Sequence, residues 1–252
     1  MTEFSANLGF LWTELALPDA IRAARKAGFH AVECHFPYAT TVADAKAALT
    51  ETGLPMLGLN TRKGDPDKGE NGLCALPGRM DEARAAIDEA IAYATAITCG
   101  AVHVMAGVTT GAQAEKTFAD NLAYACAQAA PHGITILIEP LNRDDAPGYF
   151  LTSTGQAVGL IEQVGALNLK LMFDCYHVQR TEGDLTHRLT ELMPHIGHIQ
   201  IAGAPARGRP DIGEINYPHL YAHLKSLGYT KPLGAEYKTF GPTEPTLGWL
   251  RP

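Results

Sequence analysis

The stretch that decides the fold is Ile134–Asn142, which reads Ile-Thr-Ile-Leu-Ile-Glu-Pro-Leu-Asn. A run of apolar or β-branched residues ends abruptly in a carboxylate, Glu139, and Pro140 follows at once. Such a run is typical of a buried parallel strand. Because proline cannot donate to a strand ladder, Pro140 ends it. The stretch therefore predicts a strand with Glu139 at its carboxyl end.

Three segments further along the chain repeat this plan. Leu169–Asp174 is apolar and ends in Asp174, and Leu233–Glu236 ends in Glu236. Between them, His198–Ile201 carries Gln200 near its end. Four successive strand ends thus each offer an oxygen ligand.

The rest of the chain supplies enough strands and helices for a barrel. The predicted strands before and including the quoted one are Phe4–Leu8, Ala31–Glu33, Pro55–Leu59, Ala101–Met105 and Thr135–Glu139. Helical segments separate the strands, and several end at a glycine such as Gly28, Gly53 or Gly133. Eight βα units in 252 residues favour an α/β fold of the (β/α)8 TIM-barrel type, with residues 1–252 as one domain. Neither a GxGxxG nor a Walker loop follows the first strand, so a nucleotide-binding sheet lacks its phosphate cradle.

Composition excludes some classes of function. The net charge of −7 argues against a general nucleic-acid binder, which needs a basic surface. The five cysteines are odd in number and widely spaced, which favours reduced thiols over a disulfide framework. We find neither a secretory signal nor an apolar run of membrane-spanning length. We therefore expect a cytoplasmic protein with no membrane partner.

The four oxygen-bearing residues suggest a metal site. Active sites of (β/α)8 barrels lie at the carboxyl ends of the strands, where Glu139, Asp174, Gln200 and Glu236 are all expected. Three carboxylates that close repel one another unless a cation neutralises them. An all-oxygen set favours Mg²⁺ or Mn²⁺ over zinc. Each residue alone also has an ordinary structural interpretation: Asp174 as a helix cap, for instance. For four consecutive strands, chance placement at one rim is a weaker explanation.

The sequence also resembles the hydroxypyruvate isomerase family, whose members are xylose-isomerase-like barrels related to the ketose 3-epimerases. The segments that carry the resemblance are His103-Val-Met-Ala-Gly107, Ile138-Glu-Pro-Leu-Asn142, Pro147-Gly-Tyr-Phe-Leu151, Asp174-Cys-Tyr-His-Val-Gln179, His198-Ile-Gln-Ile-Ala202, Gly213-Glu-Ile-Asn-Tyr217 and Glu236-Tyr-Lys238. The resemblance as a whole runs in order from Phe4 to Trp249, without large gaps.

The resemblance implies an isomerase acting on a small hydroxy or oxo acid. It implies a divalent metal at Glu139, Asp174, Gln200 and Glu236, with Glu139 and Glu236 as the acid/base pair. The reaction named for the family converts hydroxypyruvate to tartronate semialdehyde. A 2-oxo-tetronate isomerase and a ketose 3-epimerase with the same site are the alternatives. The family also allows a homo-oligomer, although no exposed stripe in the sequence specifies one.

Three further residues are candidates for substrate binding. His177 and Arg207 resemble a histidine and an arginine that contact substrate in the family, and a planar guanidinium suits a carboxylate. His103 lies inside the fourth strand, where a residue of the barrel mouth and a satisfied core histidine are equally compatible with the sequence. The loop from Asn60 to Gly78 is either a substrate-covering loop or an irregular surface excursion.

The loop after the seventh strand departs from the family pattern. Similar chains commonly carry an acid where Gly203 stands, another where Arg209 stands, and Gly-Thr where Asp211-Ile212 stand. Thr239 replaces the usual proline after Lys238. These changes affect the substrate pocket rather than the four presumed ligands.

Two other classes of function remain to be weighed. A metal-dependent endonuclease on the related barrel needs several histidine ligands and a basic face, and neither is evident. A noncatalytic metabolite-binding barrel would not require both glutamates.

Overall fold

Eight strands alternate with helices in the computed structural model, which describes residues 2–250. The strands are β1 (Phe4–Asn7), β2 (Ala31–Glu33), β3 (Leu59–Asn60), β4 (Ala101–His103), β5 (Thr135–Ile138), β6 (Leu169–Asp174), β7 (Ile196–Ile201) and β8 (Leu233–Ala235). The α-helices are α1 (Leu17–Ala27), α2 (Val42–Thr52), α3 (Met80–Ile97), α4 (Ala112–Ala129), α5 (Thr154–Val164), α6 (Cys175–Thr181), α7 (Leu185–Leu192) and α8 (Tyr217–Ser226). The ends of the expected domain, Met1 and residues 251–252, lie outside the described range.

The strands form a nearly closed barrel. Each strand pairs in parallel with its neighbour in the order β2-β1-β8-β7-β6-β5-β4-β3. A single parallel bridge between Val32 and Met56 joins the two ends of this sheet. Backbone hydrogen bonds from Val32 to Pro55 and from Leu57 to Val32 support the bridge. The (β/α)8 TIM-barrel prediction is therefore confirmed.

Local signals in the sequence account for the helix ends. Thr41 caps α2 by accepting a hydrogen bond from the backbone N–H of Asp44, and Gly53 ends the helix in the left-handed conformation. Helix α2 thus ends directly before Gly53, as the sequence predicted. Gly28 and Gly133 likewise follow helical segments with positive φ, as expected.

Several strand ends shift by one or two residues, and two elements differ more from the prediction. The third strand is Leu59–Asn60, shorter than the expected Pro55–Leu59, because only these two residues pair with β4, whereas Met56 forms the isolated bridge to Val32 that closes the barrel. Helix α6 was not expected. Its sequence, Cys-Tyr-His-Val-Gln-Arg-Thr, has low intrinsic helix preference, so its position at the end of β6 rather than propensity stabilises it.

All five cysteines are buried and free, as their spacing predicted. Within residues 2–250, no helix combines the length and the apolar character needed to cross a membrane.

Candidate active site

The structure brings the four predicted oxygen donors to the carboxyl end of the barrel. Glu139 directly follows β5, Asp174 ends β6, Gln200 lies in β7, and Glu236 directly follows β8. In the strand register, Asp174 lies opposite Gln200. All four are buried, with at most 5% of each residue exposed. The carboxylates are therefore held in an environment that strongly disfavours isolated charge.

Asp174 combines a structural contact with a place in the site. Its Oδ1 accepts a hydrogen bond of 2.8 Å from the backbone N–H of Tyr176, which caps the short helix α6. Its Oδ2 lies 3.3 Å from a guanidinium nitrogen of Arg207. The capping interpretation of the sequence is thus correct, and it leaves the second oxygen available to the site.

Arg207 is the cation among these acids. Its guanidinium pairs with Glu236 Oε2 as well as with Asp174, and it stacks 4.6 Å from the ring of Phe10 and 5.1 Å from that of Tyr176. Arg207 itself has a left-handed backbone with φ of 54°. Such a conformation is unfavourable for a residue with a side chain and is often found at functional sites. One guanidinium nitrogen, Nη2, pairs with the acids of the site, whereas Nε has no hydrogen-bond partner among the described residues and Arg207 lines the cavity.

Glu236 is also held by a side chain from the neighbouring strand β1 and by one that follows β2. Asn7, at the end of β1, donates a hydrogen bond of 2.8 Å from Nδ2 to Glu236 Oε1. His35 Nε2 lies 2.9 Å from the same oxygen. Both oxygens of Glu236 are therefore fixed in place.

The hydrogen bonds of His177 determine which ring nitrogen carries its proton. Nδ1 accepts the backbone N–H of Asn142 at 3.1 Å. The proton of the neutral ring is therefore on Nε2, which lies 3.8 Å from Glu139 Oε1 and 3.7 Å from Asp174 Oδ2. Nε2 has no hydrogen-bond partner among the described residues. His177 consequently presents a donor N–H to the site.

His103 also lies at the acid cluster. It is 3% exposed, and its Nδ1 lies 3.8 Å from Glu139 Oε2. Within residues 2–250, neither ring nitrogen makes a hydrogen bond. Of the two interpretations left open by the sequence, a satisfied core histidine is excluded, and the side chain lines the mouth.

The pKa values of the ionisable groups in the site are shifted in opposite directions. Burial, with repulsion from Glu236 and Asp174, raises the pKa of Glu139 well above its ordinary value. Burial also raises the pKa of Asp174 to about 7, although Arg207 opposes it. For Glu236, burial is outweighed by Arg207 and His35, which lower its pKa to about 2. Burial lowers the pKa values of His103 and His177 to about 3. The surroundings of the two glutamates therefore shift their pKa values in opposite directions, upward for Glu139 and downward for Glu236.

Unpartnered oxygens test whether the site suits a metal. Glu139 Oε1 and Gln200 Oε1 are buried and have no hydrogen-bond partner among the described residues. Buried polar atoms are rarely left unpaired, so these oxygens mark a place for a ligand. Atoms of Glu139, Asp174 and His177 lie within 4.8 Å of one another. Because Nε2 of His177 carries a proton, the two carboxylates are the members of this group that an ion can bind. With carboxylate and amide oxygens, the donor set fits a hard divalent cation.

A cavity of ≈ 240 Å³ opens above these residues. Glu139, His177, Arg207 and Glu236 line it, and so do Lys63 and Asn71 from the loop between β3 and α3. Gly72 of that loop forms a bridge with Ala106, next to the end of β4. The loop is therefore part of the mouth wall and not a remote surface excursion.

The loop after β7 is tightly folded around Gly203. Gly203 donates a backbone hydrogen bond to Gly208, and Glu214 donates one to Ala204. A Cβ atom at position 203 would lie 2.1 Å from the carbonyl oxygen of Ile212 and 2.5 Å from that of Arg209. This backbone therefore excludes the acid that similar chains commonly carry there.

Some residues of the site were not singled out from the sequence. Asn7 and Asn142 orient Glu236 and His177 through hydrogen bonds that link positions 229 and 35 residues apart. Glu33, at the end of β2, accepts a hydrogen bond from Gln200 on β7. A polar residue at the carboxyl end of a predicted strand was the available signal for Asn7 and Glu33.

Comparison with known proteins adds a family match. Residues 21–252 match the model of the family described as xylose isomerase-like TIM barrel. A 2-oxo-tetronate isomerase of Cupriavidus necator is 44% identical over 256 residues, which cover 100% of this chain and 98% of the relative. A hydroxypyruvate isomerase of Escherichia coli is 39% identical, with 100% and 99% covered.

A solved structure has nearly the same backbone. The crystal structure described as AP endonuclease, family 2, from Brucella melitensis superposes with a TM-score of 0.95 and 40% identity, covering 99% of this chain and 98% of that one.

Proposed function

The chain belongs to the xylose isomerase-like TIM barrel family, and from that premise we propose that this isomerase moves a carbonyl group between adjacent carbons of a small 2-oxo or hydroxy acid. Hydroxypyruvate, with tartronate semialdehyde as product, is the first candidate substrate. A four-carbon 2-oxo-tetronate is the alternative, since relatives named for both activities match over the full chain. A cavity of ≈ 240 Å³ suits molecules of this size better than a polymer.

The observation that carries the proposal is that two glutamates line one cavity and have surroundings that shift their pKa values in opposite directions. Groups whose pKa values are pushed apart by their environments form natural acid/base pairs. Glu236, as a carboxylate, accepts the proton from the carbon that bears the hydroxyl group. Glu139, as a carboxylic acid, donates a proton to the neighbouring carbonyl carbon. The substrate hydroxyl proton moves to the former carbonyl oxygen, so the atoms of substrate and product balance.

The other residues of the mouth orient the substrate and stabilise charge. The Nε2–H of His177 donates to a substrate oxygen, and His103 borders the same space. Arg207 provides positive charge beside Glu236. A divalent cation, Mg²⁺ or Mn²⁺, held by Glu139, Asp174, Gln200 and Glu236 would supply further positive charge at the substrate oxygens.

An endonuclease, the activity named for the Brucella protein, is the second candidate. The net charge of −7 weighs against it, because binding to a nucleic acid needs a basic surface. The candidate metal cluster in residues 2–250 contains one histidine, His177, rather than the several expected of a zinc cluster. A cytoplasmic location and a homo-oligomeric state stay predictions from the sequence.

The experiment that tests the proposal compares substrates with and without metal. Hydroxypyruvate, a 2-oxo-tetronate and a free ketose are each incubated with metal-stripped protein and with Mg²⁺ or Mn²⁺ restored. We expect interconversion of one acid, lost on stripping and regained with metal. Activity indifferent to chelation would remove the metal from the proposal, and activity on the ketose alone would make the chain a ketose epimerase.

A further inference from the structure

Glu33 collects three hydrogen-bond donors inside the barrel. It lies at the end of β2, and only 4% of it is exposed. Ser5 Oγ donates to its Oε1 at 2.7 Å, Gln200 Nε2 donates to its Oε2 at 2.8 Å, and His198 Nε2 lies 3.2 Å from both oxygens. The carboxylate is therefore surrounded by donors from β1 and β7.

The contact with Gln200 decides which end of its amide points to the site. A side-chain amide has a donor end and an acceptor end, whereas an ionised carboxylate only accepts. With Nε2 bound to Glu33, the acceptor Oε1 of Gln200 is left without a partner. A rotation of the amide by half a turn would place two acceptors together and present N–H groups to a cation. Both consequences are unfavourable.

The surrounding structure leaves room for this contact and for little else. A Cβ atom at Gly234 would lie 2.3 Å from Glu33 Oε1 and 2.9 Å from both Gln200 Cγ and His198 Nε2. The void bordered by Glu33 and Gln200 measures ≈ 10 Å³, which is at the limit for a single water molecule at about 10–15 Å³. Glu33 and Gln200 both border this small void and neither lines the mouth cavity, so Glu33 acts through its bond to Gln200 and does not touch substrate.

We propose that Glu33 is a positioning residue that fixes the amide of Gln200 so that its carbonyl oxygen faces the cation site. This role rests on the metal proposed above. It gives the acid on β2 a function that the strand-end pattern of β5 to β8 does not reveal.

The test is a reciprocal exchange of carboxylate and amide. Mn²⁺ binding to metal-stripped protein is measured by electron paramagnetic resonance for the parent, Glu33→Gln, and the double variant Glu33→Gln with Gln200→Glu. We expect Glu33→Gln to weaken Mn²⁺ binding by about 10- to 100-fold, the range for groups that orient ligands. In the double variant the new amide can donate to the new carboxylate, so we expect affinity within about threefold of the parent.

Ser5→Ala is the matched control, because it removes another donor to Glu33 and leaves the bond to Gln200 intact. We expect it to bind Mn²⁺ like the parent. Parental affinity in Glu33→Gln, or no recovery in a folded double variant, would overturn the positioning role alone. Absence of Mn²⁺ binding by the parent would overturn the metal centre as well. If circular dichroism shows that neither Glu33 variant folds, Glu33 serves the core and the proposal is wrong.

Discussion

The two halves of the barrel mouth differ in what their buried polar residues contact. Strands β5 to β8 end in Glu139, Asp174, Gln200 and Glu236. In the first half, which is β1 to β4, Asn7, Glu33 and His103 end β1, β2 and β4, and His35 follows β2. Asn7 and His35 bind Glu236, and Glu33 binds Gln200. The first half thus holds the groups that the second half presents.

This difference shows how one half of a barrel can bring the reacting carboxylates together while the other half holds them in place. Reacting carboxylates must be close together, which is unfavourable in a buried site. Hydrogen bonds from the opposite half offset that cost by fixing each oxygen, and Arg207 contributes the neutralising charge. Substitutions in the two halves should therefore have effects of different kind and size.

The largest effect on turnover is expected from strands β5 to β8, whose ends carry the reacting carboxylates. Glu139→Gln keeps shape and neutrality, because burial and the neighbouring acids already favour the protonated carboxyl, but the amide cannot donate a labile acid proton. We expect isomerase turnover to fall by about 10²- to 10⁴-fold with an unchanged melting temperature. Glu162→Gln on exposed α5 is the control, expected to keep parental turnover. Parental turnover in Glu139→Gln would remove Glu139 from the acid/base pair.

Substitution of Arg207 measures how much its positive charge stabilises the buried acids Asp174 and Glu236. Arg207→Met leaves buried acids without their cation, so we expect metal-free protein to lose about 3–5 kcal/mol of unfolding free energy. Mn²⁺ should recover part of this loss, because it neutralises the same acids. Urea denaturation with and without Mn²⁺ measures both. Arg209→Met, whose partner Asp211 is exposed, should cost at most about 0.5 kcal/mol. Similar losses in the two variants would contradict the assignment.

A smaller effect on turnover is expected from strands β1 to β4, whose side chains hold the reacting groups by hydrogen bonds. Asn7→Ala removes one hydrogen bond to ionised Glu236, a contact worth about 1.5–3 kcal/mol. We expect turnover to fall by about 10- to 100-fold in a protein that still folds. Asn168→Ala removes amide bonds to the carbonyls of Cys126 and Ile134, away from the mouth, and should lower stability only. Equal turnover in Asn7→Ala and the parent would show that the first half is dispensable for catalysis.

The smallest effect should come from the mouth wall. Lys63 is half-buried, lines the cavity, and within residues 2–250 has no ion-pair partner, so its cation is available to an acidic substrate. We expect Lys63→Met to raise KM for the acid by about two- to fivefold with unchanged kcat, since partly exposed ion pairs contribute at most about 1 kcal/mol. Lys68→Met, which loses only its pair with Asp65, should leave KM unchanged. The same KM in both variants would exclude Lys63 from substrate binding.

The sequence predicted the second half better than the first for a physical reason. Glu139, Asp174 and Glu236 each end an apolar run, so local pattern alone locates them at the carboxyl rim. The partners of Asn7 and Glu33 are defined only when β1 pairs with β8 and the barrel closes. No local pattern encodes that closure. The short third strand illustrates the same limit, because its pairing depends on where β2 lies.

Arg207 and α6 show a second limit. The resemblance indicated Arg207, but its pairing with Asp174 and Glu236 depends on a left-handed residue inside an irregular loop. Helix α6 depends on the cap supplied by Asp174 rather than on its own composition. Both features arise from tertiary contacts that propensity does not contain.

The fold around Gly203 constrains how this pocket can evolve. An acid introduced at position 203 would collide with the carbonyl groups of Arg209 and Ile212. Those two positions are among the ones where the sequence departs from similar chains. A side chain at position 203 therefore requires the backbone of residues 209–212 to move, so we expect position 203 and the segment 209–212 to change together. Substrate preference in this barrel would then be inherited as a block rather than acquired one residue at a time.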